Sequence, residues 1–249
     1  MIDLFNETRY ADEVYDKLLF TDSRLSGKEF QDCTFLACDF SNSSLLDCNF
    51  IDCRFEACNL SNIKLGNTAL KGVCFENSKL LGTDFTDCSD FLFAVRFGQC
   101  VLDYAFFIRK NLKKTVFDQC SVREANFSES NLAEASFLQC DLHQTVFERT
   151  DLRGADFRTA FNYSINPTVN NLRKARFSYP SVLGRMLGDG YWVKNFGVSA
   201  RTLLNKGDHP YMKEKAYQDA LAFNPNIVVI KLGTNDSKSF NWKYKEDFT

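Results

Sequence analysis

The chain has 249 residues with 30 basic against 32 acidic side chains and a mean hydropathy of −0.28. That balance excludes a nucleic-acid binder driven by phosphate neutralisation, which needs a strongly basic surface. No run of about 18 apolar residues is present, so no membrane-spanning helix is expected.

The N-terminus, Met1-Ile2-Asp3-Leu4-Phe5-Asn6-Glu7, lacks the basic end and apolar centre of a secretory leader. Ten cysteines in that context point to reduced thiols and a cytoplasmic location rather than a disulfide framework.

From Phe20 to Phe85 every fifth residue is Leu or Phe, and the run resumes at Leu92 and continues to Phe157. Of 28 such centres, 27 are Leu or Phe and one is Val122. A period of five fits neither a helix nor a flat strand, so the chain must turn by a fixed angle every five residues. Two residues before each centre a small or thiol residue recurs, as at Cys33, Cys53, Cys100, Ala105, Cys120, Ala125 and Cys140. One large and one small inward residue per five suit a narrow coil with a filled axis. Residues twenty apart then stack, so Phe97, Phe117, Phe137 and Phe157 form one ladder and Leu92, Leu112, Leu132 and Leu152 another. The open N-terminal end of such a coil needs covering, and residues 1–17 are expected to supply that cap.

These features, with segments such as Ala155-Asp156-Phe157 and Glu129-Ser130-Asn131-Leu132-Ala133, resemble the pentapeptide-repeat family over about residues 18–177. The resemblance implies a mainly β fold, a right-handed four-sided β-helix of about seven coils. At about 4.8 Å per coil this is a rod roughly 34 Å long.

The step from Phe85 to Leu92 is seven residues, which places a two-residue insertion within Thr86–Phe91 and predicts a bulged corner. The cluster Arg109, Lys110, Lys113 and Lys114 reads as a solvated face, and His143 as an outward residue. Eight of the ten cysteines fall on small inward positions and read as core. No spacing suited to zinc occurs, and no cofactor is expected.

The five-residue period ends after Tyr179, which divides the chain into 1–179 and 180–249. The second part reads as a small incomplete α/β segment. A helix is expected at Pro180–Leu187, a strand at Tyr191–Gly197, a helix at Tyr211–Phe223, and a buried parallel strand at Asn226–Leu232. Net charge changes from −5 over 1–179 (20 basic, 25 acidic) to +3 over 180–249 (10 basic, 7 acidic). Asn195-Phe196-Gly197-Val198-Ser199 and Gly233-Thr234-Asn235-Asp236 resemble two blocks of the SGNH (GDSL-type) hydrolases, especially acetylesterases of acetylated sugars. By that resemblance Gly197 and Asn235 are remnants of an oxyanion hole, whose donors are worth a few kcal/mol each. Neither the Gly-Asp-Ser block nor the Asp-x-x-His block of that family occurs in the sequence. Without a nucleophile and its base, acyl transfer has no chemistry to run.

The sequence therefore predicts a non-catalytic scaffold with an unidentified protein partner. No membrane association and no direct nucleic-acid contact are expected, and a homodimer is left open. Two alternatives stand beside it: a carbohydrate acetylesterase, and a DNA mimic that binds a type II topoisomerase, as some pentapeptide-repeat proteins do.

Overall fold

The computed structural model describes residues 6–177, 213 and 215–223. The chain divides into two units, Met1–Ser178 and Tyr179–Thr249.

The first unit is a parallel β-solenoid whose period comes from a repeated turn. At many corners, such as those after Leu102, Phe127 and Leu152, the carbonyl of the centre residue accepts the N–H of the residue three further on, as from Ala105 to Leu102 (3.1 Å), Ser130 to Phe127 (3.1 Å) and Ala155 to Leu152 (3.1 Å). The residue two after the centre then takes a left-handed conformation, with φ of 52° at Asp32, 55° at Asn62 and 60° at Glu129. Where the closing bond is present, as around Asn62 and Glu129, this is the pattern of a type II turn, whose third residue must have positive φ; the corner at Asp32 keeps the positive φ without that bond. Early corners are mostly Asp, Asn and Gly (Asp12, Asn42, Asp52, Asn67, Gly72), the residues that reach this region most easily, with Lys17, Ala37 and Ala57 as exceptions. Corners from Gln99 to Arg149 are Gln, Glu, Arg, Lys or Tyr, so the stacked backbone overrides local preference there.

Hydrogen bonds run along the axis, from each coil to the next. Strands β1 (Arg9–Ala11), β4 (Glu29–Gln31), β7 (Asn49–Ile51) and β9 (Ala69–Lys71) form one parallel sheet. A nine-stranded sheet on the adjacent face runs from β2 (Val14–Asp16) to β15 (Arg176–Phe177). Its register is twenty residues, as in Phe35 beside Phe55 and Phe117 beside Phe137.

The core is a stack of rings. Tyr15, Phe35, Phe55, Phe75, Phe97, Phe117, Phe137, Phe157 and Phe177 form one ladder, with successive centroids 4.6–5.3 Å apart and planes within 17°. Offset stacks of this kind add about 0.5–1.5 kcal/mol per pair beyond burial. A second aromatic in each coil meets the ladder edge-on, as Phe127 meets Phe117 at 87°. The second aromatic changes face along the rod. It is Phe50 beside Phe55, then Phe85 after Phe75, where Leu70 has taken the earlier place. Swapping faces while keeping two rings per coil holds the core volume constant, as close packing requires.

Three sequence expectations are corrected. Residues 9–16 are not a separate cap: Tyr10 stacks on Phe30 (5.1 Å) and Tyr15 on Phe35 (5.0 Å), so the coil starts earlier and the solenoid has about eight turns rather than seven. The insertion does not lie within Thr86–Phe91. The twenty-residue register persists through Cys88, which is buried, and Ser89, whose N–H bonds Thr68; the shift to twenty-two is complete at Val95, which pairs with Val73. Two extra residues therefore enter between Asp90 and Val95. Leu92, in consequence, is not a rung of the leucine column. It occupies a corner with φ of 58° and is 64% exposed.

In the second unit a helix, α1, spans Lys215–Ala222 within the expected 211–223, with Lys215 and Asp219 paired at 2.8 Å. The other expected elements of 180–249, and with them the α/β organisation, lie outside the described residues.

Candidate functional site: the outer faces of the coil

Stacked side chains fill the axis, so any function of the solenoid falls to its outside. The outer surface carries a shallow notch of about 210 Å³ lined by Lys113, Asn131, Ala133, Glu134 and Arg153. Among the described residues no group of three His, Cys, Asp or Glu is placed to hold a metal ion, and no helix is long and apolar enough to cross a membrane.

Within the run from Phe20 to Phe157 the inward pattern breaks at the bulge. Asp90 stands at a centre position, yet its side chain is 79% exposed. Lys110, one coil later at a small inward position, fills the gap. It is 2% exposed, and its Nζ donates to the Cys88 carbonyl and to Asp90 Oδ1 (2.7 Å), 5.3 Å from the Phe93 ring centroid. Lys110 is thus not part of a solvated basic face, whereas Arg109, Lys113 and Lys114 are exposed as expected. The Asp90 carbonyl accepts the Phe93 N–H (3.3 Å), which locks the corner and turns Phe91 (70% exposed) and Leu92 outward. Lys71 Nζ lies 5.5 Å from the Phe91 ring.

This clamp predicts an asymmetric pair of effects. Lys110→Met keeps the stem and removes a buried charge, so it changes stability by less than about 1 kcal/mol. Asp90→Ala leaves the ammonium with one carbonyl and costs about 1–2 kcal/mol, reduced from a fully buried pair because Asp90 faces water. Denaturant midpoints of the two variants check the order.

Several surface charges pair along or across rungs: Arg149 with Glu129 (2.8 Å), Arg153 with Asp151 (2.6 Å), Arg158 with Asp156 (2.7 Å). The hydrogen bonds from Arg153 and Arg158 hold the Asp151 and Asp156 carboxyls below the usual range. Nine cysteines are buried and Cys74 is half-buried. Burial pushes the Cys53 and Cys88 thiols up to about 12. In the column Cys100–Cys120–Cys140, hydrogen bonding to the Cys120 sulfur and burial raise the two outer thiols. The same hydrogen bonds lower the Cys120 thiol, but that sulfur is buried inside the coil, out of reach of a substrate. His143 is exposed, as expected. Gly197 and Asn235 lie outside the described residues.

Sequence reasoning missed the inward Lys110 and the outward Phe91 and Leu92. The available signal was Cys88: counting two onward from a small inward residue puts the centre at Asp90, and counting two back from the centre Leu112 puts Lys110 at a small inward position.

The model of the pentapeptide repeat region matches residues 28–107 and 90–162. Among solved structures, the chain resembles QnrB1, a plasmid-mediated fluoroquinolone resistance protein, at 18% identity, covering 74% of this chain and 100% of that one with a TM-score of 0.43. It also resembles HetL from the cyanobacterium Nostoc sp. strain PCC 7120, a pentapeptide repeat protein involved in heterocyst differentiation regulation, at 13% identity over 70% of this chain and 90% of that one (TM-score 0.38). A 75-residue stretch, 30% of the chain, is 68% identical to an acetylxylan esterase of Xylanibacter ruminicola. That stretch spans only 16% of the esterase's length.

Proposed function

The chain belongs to the pentapeptide repeat family, and on that premise we propose that it acts as a non-catalytic scaffold whose outer faces bind a protein partner. The observation that carries this reading is the filled axis: Phe97, Phe107, Phe117 and Phe127 are wholly buried against one another, leaving only the outer surface for recognition. Exposed apolar side chains on that surface, such as Tyr104, Phe106 and Val146, supply contact area on a rigid backbone. Rungs in which acid and base alternate, such as Glu129 with Arg149 and Asp151 with Arg153, work against the topoisomerase-binding DNA mimic, which needs a continuous acidic face.

The test is affinity capture with the full chain, repeated with charge substitutions on one face at a time, such as Phe106→Glu with Val146→Glu. A protein captured by the parent and lost from one variant of unchanged melting profile supports the scaffold. Capture indifferent to every face overturns it.

A second reading is favoured by the 68% match: the chain carries part of an ester hydrolase, with Gly197 and Asn235 as oxyanion donors and substrates among acetylated sugars. It requires turnover of p-nitrophenyl acetate that is lost in Asn235→Ala. The scaffold reading expects no turnover from the full chain, because the sequence carries no Gly-Asp-Ser nucleophile block.

A further inference from the structure

The segment between Phe85 and Val95 holds two residues more than the repeat uses, and its sequence fits the wall of the coil in two registers. In the observed one Cys88 takes the small inward position, Asp90 the centre and Leu92 the corner, with Phe93 and Ala94 as the spare pair. Sliding the segment by two residues gives the other. Asp90 then takes the small inward position and Leu92 the centre, while Cys88 and Ser89 become the spare pair. The corner falls to Ala94, a residue type that already serves at Ala37 and Ala57. Leu92 would lie between Leu70 and Leu112, both 1% exposed, in a column continued by Leu132 and Leu152. The observed register instead leaves Leu92 in water and covers Cys88 and part of Phe93. One leucine is exchanged for a thiol and part of a ring, so apolar burial alone does not choose between the two.

We propose that the Asp90–Lys110 pair is a register lock that holds the segment as observed. Lys110 Nζ has two acceptors, Asp90 Oδ1 (2.7 Å) and the Cys88 carbonyl, and these stand two residues apart on the segment that slides. The slip carries the Cys88 carbonyl out of the coil and leaves the ammonium without it. It also draws the Asp90 carboxylate, 79% exposed as observed, into the wall above Lys110. A lost acceptor and a second buried charge both oppose the slip. Fixing register is the role for which buried ionic groups are best attested. Phe91 points outward in both registers, whereas Leu92 does so only in the locked one. The lock therefore decides whether Leu92 belongs to the surface or to the core.

The full chain carrying Asp90→Ala with Lys110→Ala tests it. Both small inward positions then hold alanine, as at Ala105, Ala125 and Ala135, so the slipped register becomes regular. The observed register keeps the hole left by the lysine stem. A disulfide reagent is expected to label two thiols promptly, Cys74 and Cys88, with Cys88 reacting at least about a hundredfold faster than in the parent. Adding Leu92→Asp bars that residue from the interior and returns Cys88 to the slow class, which separates a slip from loosening around a cavity. Cys88 staying slow in the double variant overturns the proposal, as does Cys88 reacting fast whether or not Leu92→Asp is present. Two deletions test the lock without that variant. Removing Cys88 and Ser89 leaves only the slipped register, and removing Phe93 and Ala94 leaves only the observed one. The two alanines are expected to raise the melting temperature of the first deletion and to lower that of the second. Shifts of the same sign, or a first deletion that fails to melt cooperatively even with the alanines, overturn the proposal.

Discussion

Phe117→Ala is expected to lower the unfolding free energy by about 3–5 kcal/mol, the range for removing a large ring from a core that cannot close around the gap. Phe117 is wholly buried. It stacks on Phe97 at 5.2 Å and on Phe137 at 4.8 Å, and it meets Phe107 and Phe127 edge-on at 6.2 and 5.8 Å. Those neighbours belong to backbone rungs fixed by axial hydrogen bonds, such as Gln119 N–H to Leu138 O at 2.7 Å. Relaxation into the cavity would mean breaking the ladder, so the cost lies at the upper end for its type. The same change at Phe177 removes a half-buried ring in the last described rung and costs less than half as much. Urea unfolding followed by circular dichroism checks both. A loss below about 1 kcal/mol for Phe117→Ala would show that the rings are not stacked as described.

The second large effect concerns thiol chemistry. Nine of ten cysteines are enclosed in the wall of the coil, and a disulfide reagent is expected to reach one, Cys74, without unfolding. Its rate is itself restrained. Cys74 Sγ lies 3.3 Å from Glu76 Oε1, and burial, together with that carboxylate, raises its pKa. A raised pKa leaves less thiolate at neutral pH, so labelling accelerates as pH rises above 8 and accelerates several-fold in Glu76→Gln. The other nine are expected to react at least about a hundredfold more slowly, at a rate that tracks unfolding and rises with denaturant. More than two equivalents reacting promptly in the native protein would contradict the burial of the small inward column.

The repeat made most of the solenoid legible. A period of five cannot serve a helix or a flat strand, and residues twenty apart had to stack. The pairing of Phe97 with Phe117 and of Phe117 with Phe137 bears this out. The errors have one physical origin. A two-residue insertion between two phased runs can be placed anywhere between them, and hydrophobicity favoured a reading with Leu92 inside. Backbone hydrogen bonding decides otherwise. The register set by Cys88 continues to Asp90, and the next turn demands a left-handed residue at Leu92, which then points to water. The vacated interior is filled by a lysine stem, which residue type alone assigns to the surface. At the N-terminus Tyr10 and Tyr15 do the work of Phe and Leu with hydroxyls attached, so a search for Leu and Phe passes over them. The roles proposed for Gly197 and Asn235 rest only on likeness to another family, and both residues lie outside the described residues.

The measurement that bears most directly on the stacked coil is the removal of one turn of it. Deleting residues 115–134 joins Lys114 to Ala135 and takes out twenty residues, leaving every column in phase. This variant is expected to fold with the parent's circular dichroism spectrum and a cooperative, somewhat lower melting transition, since each coil contacts only its neighbours. Deleting 115–131 removes three residues fewer but throws all later rungs out of phase, and is expected to abolish cooperative melting. If the two deletions behave alike, or the twenty-residue deletion is the one that fails to fold, the stacked coil with its twenty-residue period is wrong.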